Sequence, residues 1–299
     1  MKVEYVDRKT GKLKEEKVPG DGGLHFLYHS ALGKFFLELM IKRKFASSLY
    51  GKYQDTERSS RKIKSFIEEQ NIDMNDYLVS DYRKYRTFND FFYRKIDPEK
   101  RPMPKDKNIL ISPADSRALF YENINQDFLF PVKGYNMNLK NLLMNDELCR
   151  SFSGGSLAVF RLCPSDYHRF HFIDDCLVKK EKFIDGDYYS VNPIALDSVE
   201  DLFSKNKRNL TLLETENFGD MIYIEVGATF VGSIIQTYNS ETANRKGDEK
   251  GYFKFGGSTV ILLFQNGKVN FDRDLIENSQ KGLETYVKAR EKIGSAVLT

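Results

Sequence analysis

The chain has 299 residues, enough for one large domain or a domain with an appendage. Hydrophobic residues make up 40%, charged residues 30%, and the formal net charge is +3, which argues against nucleic-acid binding by bulk charge. Cys149, Cys163 and Cys176 form no CxxC pair and suggest no disulfide framework, as suits a reducing compartment. No run approaches the roughly 18 apolar residues of a spanning helix, and the charged N-terminus has no apolar signal core, so a secretory signal and a polytopic membrane protein are both disfavoured.

The charge is uneven. The first 64 residues carry 15 Lys and Arg against 8 Asp and Glu, so the positive excess is N-terminal. Residues 1–23 read as a strand-like start with turns at Pro19, Gly20, Gly22 and Gly23. Residues 26–50 are predicted helical, because Leu32, Phe35, Phe36, Leu39 and Met40 recur at spacings of three and four before a basic cluster, Lys42, Arg43 and Lys44. Such a helix suits an anionic membrane surface, but the segment alone favours a helix packed on its own domain with a solvated basic end. His25 and His29 lie four apart on it with no third metal ligand nearby. Residues 59–79 and 87–93 are predicted as two further helices.

After Pro102 short β-rich runs take over: 108–112, 157–162, 221–226, 228–238 and 258–264, separated by glycines. The stretch 277–293 is predicted to be a polar helix. These elements make an α+β fold, with a helical N-terminal region on a β-rich body. The expected division is 1–80 for a basic, membrane-associating region and 81–299 for a catalytic domain.

Three segments carry candidate chemistry. Asp115 ends Ser112-Pro113-Ala114-Asp115 after a β run, a common place for a turn or cap residue. His168 and His171 lie three apart in 164–171, beside Asp166 and Arg169. On a turn or helix they share a face; on an extended strand they point to opposite sides. Gly256-Gly257-Ser258-Thr259 enters the apolar run Val260–Phe264, which alone is an ordinary turn before a strand. There is no HExxH, GxGxxG, P-loop or GxSxG elbow.

Taken in order, these segments resemble the phosphatidylserine decarboxylase family. The resemblance runs from about residue 85 to 275. It includes Phe91-Phe92-Tyr93-Arg94-Lys95, Arg101-Pro102, Ser112–Asp115, Lys133-Gly134, Phe160-Arg161-Leu162 and Pro164–His171. It continues through Asn192-Pro193, Asn217, Val226-Gly227-Ala228 and Lys250-Gly251 to Gly256–Thr259. One departure is visible: Ser116 stands where the family usually has glycine, a residue that would permit a positive φ.

The resemblance implies a proenzyme that cuts itself between Gly257 and Ser258 into a long chain (1–257) and a short chain (258–299). It assigns Asp115, His171 and Ser258 to a self-cleavage triad, with His171 as base oriented by Asp115. Ser258 would become a pyruvoyl group that forms a Schiff base with phosphatidylserine, and His168 would donate the proton in decarboxylation to phosphatidylethanolamine. No metal and no nucleic acid are expected. The implied partners are phosphatidylserine, an anionic membrane surface, the two cut chains with each other, and a second copy in a homodimer. The expected location is peripheral, on the cytoplasmic face of a membrane. Two alternatives compete: a membrane-binding homologue that never matures, and a serine hydrolase using Ser258, His171 and Asp115.

Overall fold

The computed structural model describes residues 3–16, 51–125, 137–191, 193–199, 201–228, 234–256 and 258–297. The expected helix over 26–50, with His25, His29 and Lys42–Lys44, lies outside the described residues, as do Lys133, Gly134, Asn192 and Gly257.

The strands, in chain order, are β1 (Glu4–Asp7), β2 (Lys12–Glu15), β3 (Ile109–Ile111), β4 (Ser116–Tyr121), β5 (Ser156–Leu162), β6 (Arg169–His171), β7 (Cys176–Ile184), β8 (Arg208–Thr215) and β9 (Gly219–Gly227). They continue with β10 (Ile234–Gln236), β11 (Glu249–Phe253), β12 (Ser258–Phe264), β13 (Val269–Phe271), β14 (Glu284–Val287) and β15 (Lys292–Ala296). Nine of them form one sheet in the order β2-β1-β14-β4-β5-β12-β9-β8-β7, and two three-stranded sheets, β10-β11-β6 and β13-β15-β3, accompany it.

The unbroken apolar run of β12 explains its place. A strand without polar alternation needs cover on both faces, and β12 sits inside the sheet, paired antiparallel to β5 and β9 with every residue buried. On one face Ile261 and Leu263 pack with Ile224 and Val226 under short helices that supply Leu142, Leu143, Leu202 and Phe203. On the other, Val260, Leu262 and Phe264 pack with Tyr223 under the small sheets, which supply Phe170, Phe253, Phe271 and Ile293. Helices on one side and strands on the other make the α+β architecture expected from the sequence.

Two helix expectations need correction. The helix over 59–79 is shorter: a 3-10 segment Glu57–Lys62 leads into an α-helix Ile63–Gln70, which stops where Asn71 turns left-handed (φ 51°). The helix over 277–293 is not one element. A helix Arg273–Gln280 ends before Gly282 (φ +74°), and β14 and β15 follow. Glu284-Thr285-Tyr286-Val287 is drawn into a strand because it fills the gap between β1, which it meets in parallel, and β4. The strand-like start is found as the β1–β2 hairpin. It joins the main sheet, so the beginning of the 1–80 region is built into the β-rich body. Among the described residues no helix is long and apolar enough to cross a membrane.

The described residues after Gly257, 258–297, are therefore woven into the body. Burial of each large apolar side chain of β12 contributes about 2 kcal/mol. A buried ionic cluster adds a second tie: Arg161 on β5 donates to Glu284 on β14 (2.8 and 2.5 Å) and to Glu16 (3.1 and 2.6 Å). A chain cut before Ser258 is expected to stay as one particle in native size-exclusion chromatography and to separate only in denaturant. Glu284→Ala should lower the stability of that particle by about 3 kcal/mol in urea titration, as removal of one partner from a buried ion cluster does.

Candidate active site

Ser258 opens β12, fully buried, and its backbone meets Leu162 on one side and Gly227 on the other. Before it, Gly256 has φ +141°, a conformation that a side chain would oppose. The approach to Ser258 is held by the helix Phe88–Phe92, whose first turn is capped by Thr87 on the Asp90 N–H (3.0 Å). The buried Asn89 of that helix accepts from the Phe255 N–H (2.9 Å) and donates to Asp55 (2.8 Å). Phe255 packs edge-on against Phe88 and Phe92.

The same helix seats His168. Phe92 stacks on its ring at 3.8 Å between centroids. His168 Nε2 lies 2.9 Å from the Cys163 carbonyl oxygen, and Nδ1 lies 3.3 Å from Ser258 Oγ. A carbonyl only accepts, so Nε2 carries the proton and Nδ1 presents its lone pair to the serine hydroxyl. Burial, reinforced by the nearby Arg94 guanidinium, lowers the His168 pKa to about 3, so the imidazole is neutral.

The turn that presents this carbonyl is braced twice. The Asp166 carboxylate accepts from the Cys163 N–H (2.7 Å) and is itself gripped by Arg117. Arg94, buried between the rings of Tyr77 and Phe91, donates to the carbonyls of Ser165 (3.1 Å) and Asp166 (3.3 Å).

His171 lies at the end of β6 and faces other partners. Its Nδ1 donates to the Gly247 carbonyl (3.0 Å), which leaves Nε2 to accept from Tyr167 Oη (2.9 Å). Burial, with Arg290 nearby, lowers its pKa to about 4. Asp115 is also buried. Its Oδ1 accepts from Arg101 Nη1 (2.5 Å) and from the Ala289 N–H (2.8 Å), a link into the C-terminal segment. Of the four expected side chains, the structure thus brings Ser258 and His168 together. Among the described residues no hydrogen bond joins Asp115, His171 and Ser258 to one another.

Ser116 leaves this arrangement undisturbed. It begins β4 opposite Val287 and is not among the residues with positive φ, so the position makes no demand for glycine. Sequence reading missed Asn89 and the bracing role of Arg117. A lone asparagine within an aromatic helix face was a signal for the first; only the fold pairs the second with Asp166. Among the described residues no group of three or more His, Cys, Asp or Glu is placed to hold a metal ion.

A buried serine at the head of a central strand, facing a neutral imidazole held in one tautomer, defines a site built for acid–base chemistry at a single position, residue 258. The family model for phosphatidylserine decarboxylase matches residues 88–295. A phosphatidylserine decarboxylase proenzyme of Clostridium novyi (strain NT) is 50% identical over 293 residues, covering 98% of this chain and 99% of its own. Those of Clostridium tetani (strain Massachusetts / E88) and Clostridium perfringens (strain SM101 / Type A) are 50% and 47% identical, each over 292 residues and 98% of this chain, covering 98% and 99% of their own lengths. The chain belongs to the phosphatidylserine decarboxylase family.

The two buried histidines set a pH dependence. When unfolded they titrate near 6.5, and when folded only near 3 and 4. Below about pH 6.5 the unfolded chain therefore binds more protons, and stability falls as pH drops towards the folded values. Urea titration of a Ser258→Ala protein should show its midpoint declining from pH 7 to pH 5, with uptake of up to two protons on unfolding. His171→Gln should remove one of them. A midpoint independent of pH across this range contradicts the neutral-imidazole assignment.

Proposed function

We propose that this chain is a self-processing, pyruvoyl-dependent phosphatidylserine decarboxylase, cut between Gly257 and Ser258. Family membership and the proenzyme names of its relatives support the activity. The observation that carries the chemistry is the contact between Ser258 Oγ and the unprotonated Nδ1 of His168.

In the cut, Ser258 Oγ attacks the carbonyl carbon of Gly257. The C–N bond breaks, an ester forms, and the hydroxyl proton passes through an imidazole to the departing amine. Removal of the Ser258 Cα proton then expels the Gly257 carboxylate. Water replaces ammonia at the remaining carbon and leaves a pyruvoyl group at the new terminus. The site suits so small a group, because position 258 is buried, flanked by Gly257, and in contact with His168. When formed, that group supplies a ketone for the substrate amine and an electron sink as CO₂ departs.

The division of labour we propose gives the cut to His171, positioned by Asp115, and the proton of the decarboxylation to His168. His168 lies against the side chain of residue 258, whose Cα and Cβ remain in the pyruvoyl group, which suits delivery of a proton to a carbanion formed beside it. Burial and nearby guanidinium groups oppose charge on both imidazoles, Arg290 and Arg169 at His171 and Arg94 at His168, and Glu249 offsets part of this at His171 alone. Tyr167, bonded to His171, lies in the field of Asp115 and offers a link between them. A second reading makes His168 the base for the cut as well; the 3.3 Å contact favours it.

Denaturing mass spectrometry of variants separates the two. Wild type should give two chains, while Ser258→Ala, His171→Ala and Asp115→Asn should stay whole. His168→Ala should be cut but decarboxylate about 100-fold or more slowly, the usual weight of a lost general acid. An uncut His168→Ala beside a cut His171→Ala transfers the base to His168. A serine hydrolase or a non-maturing homologue leaves the wild type whole.

Region 1–80 is proposed as the membrane-associating part, with residues 26–46, Lys42–Lys44 and the basic stretch 58–64 contacting anionic lipid. This fits a peripheral enzyme on the cytoplasmic face, with 81–299 as its catalytic domain. Deletion of 26–46 should reduce sedimentation with phosphatidylserine vesicles several-fold; undiminished sedimentation contradicts the assignment.

A further inference from the structure

The sheet face that bears Ser258 continues outward to the edge strand β7. Directly opposed residues on neighbouring antiparallel strands point to the same face. One row on this face runs Ser258, Gly227 and then Lys207, whose carbonyl accepts from the Gly227 N–H (2.9 Å). The next runs Val260, Glu225, Asn209 and Phe183. Gly227 has no side chain, so the first row itself puts nothing between Ser258 and Lys207, which are two strand steps, roughly 10 Å, apart.

At the far end of these rows lies a cavity of about 380 Å³ lined by Glu181, Phe183, Lys207, Asn209, Ile234 and Gln236. Its walls are fixed. Asn209 Nδ2 donates to Glu181 Oε1 (2.6 Å). Gln236 donates to Glu225 Oε2 (3.0 Å) and accepts from the fully buried Lys250 (3.2 Å), which is paired with Glu225 at 2.7 Å. Lys207 holds its ammonium 4.9 Å from the centroid of the Phe183 ring, and Phe183 is 53% exposed, at the mouth. The chemistry at residue 258 uses none of these groups.

We infer that this groove, with Lys207 as counter-ion, is the subsite for the phosphodiester of the lipid headgroup. A lysine presents a point charge with three donors, which suits a phosphate oxygen from several directions. Glu181 in the same lining repels a doubly charged phosphate monoester more than a singly charged diester, so the groove selects the diester. A phosphate held between Lys207 and residue 258, whose backbones stand two strand steps apart on one sheet face, can be joined by a short linker to an amine reacting at 258. The exposed Phe183 offers apolar surface to the glycerol end.

The inference rests on the decarboxylase reading, so its test reads binding apart from turnover. Calorimetry on uncut Ser258→Ala protein, titrated with short-chain, monomeric phosphatidylserine and separately with inorganic phosphate, reads the groove alone. Adding Lys207→Gln should weaken binding of the lipid about tenfold, the weight of one charge-assisted hydrogen bond, and Lys207→Arg should restore most of it. Inorganic phosphate should bind more weakly than the lipid. In the cuttable protein, Lys207→Gln should mature fully, with KM raised and kcat little changed. Lipid binding unchanged by Lys207→Gln overturns the subsite. Equal binding of inorganic phosphate, also dependent on Lys207, overturns the selection of a diester. Failure of the wild type to decarboxylate would count against the decarboxylase reading without touching the calorimetric result.

Discussion

The contact between a buried hydroxyl and a buried neutral imidazole depends on one constraint: β12 must begin at residue 258 in the middle of a sheet. Ser258 already pairs with Leu162 and Gly227, so the ladder of β12 starts at the residue that follows the proposed cut. Two residues earlier, Gly256 turns the chain through a conformation reserved for glycine. A cut at this place need not disturb the pairing that holds the new terminus. The apolar side chains on both faces of β12, together with β14 locked between β1 and β4, supply the cohesion that a severed peptide bond no longer gives.

Around this strand the polar groups form two separate systems. On one side Cys163, Asp166, Arg117 and Arg94 fix a turn whose single carbonyl dictates the tautomer of His168. On the other, Tyr167, His171 and Gly247 form a second chain of hydrogen bonds, with Asp115 tied to Arg101 and Ala289. Burial disfavours charge on both imidazoles, and each has a partner at both ring nitrogens. Two histidines three residues apart can thus work on different partners, because the intervening chain is extended.

The site was legible in the sequence to the extent that its chemistry is carried by contiguous residues. The run 258–264 read as a strand, 87–93 as a short helix, and 164–171 as the segment with the two histidines. The pairings were not legible, since they depend on which strands become neighbours. Nothing local to Arg117 points to Asp166, and nothing local to Ser258 decides between His168 and His171. The false helix over 277–293 has the same origin. Its polar composition allows a helix, but the open edge between β1 and β4 recruits Glu284–Val287 as a strand, a tertiary demand that overrides local preference. Ser116 shows the converse: a departure from a family pattern that alarms in sequence makes no conformational demand where φ is not positive.

If residue 258 becomes the chemical centre of the protein, the mass of the short chain records it. Freshly purified wild type, denatured and measured intact, should yield a C-terminal chain ending at Thr299 and lighter than the Ser258–Thr299 peptide by one ammonia. That is the difference between an N-terminal serine and a pyruvoyl group. A C-terminal chain with the full mass of a serine-initiated peptide, a cut elsewhere, or a single uncut chain would contradict the account.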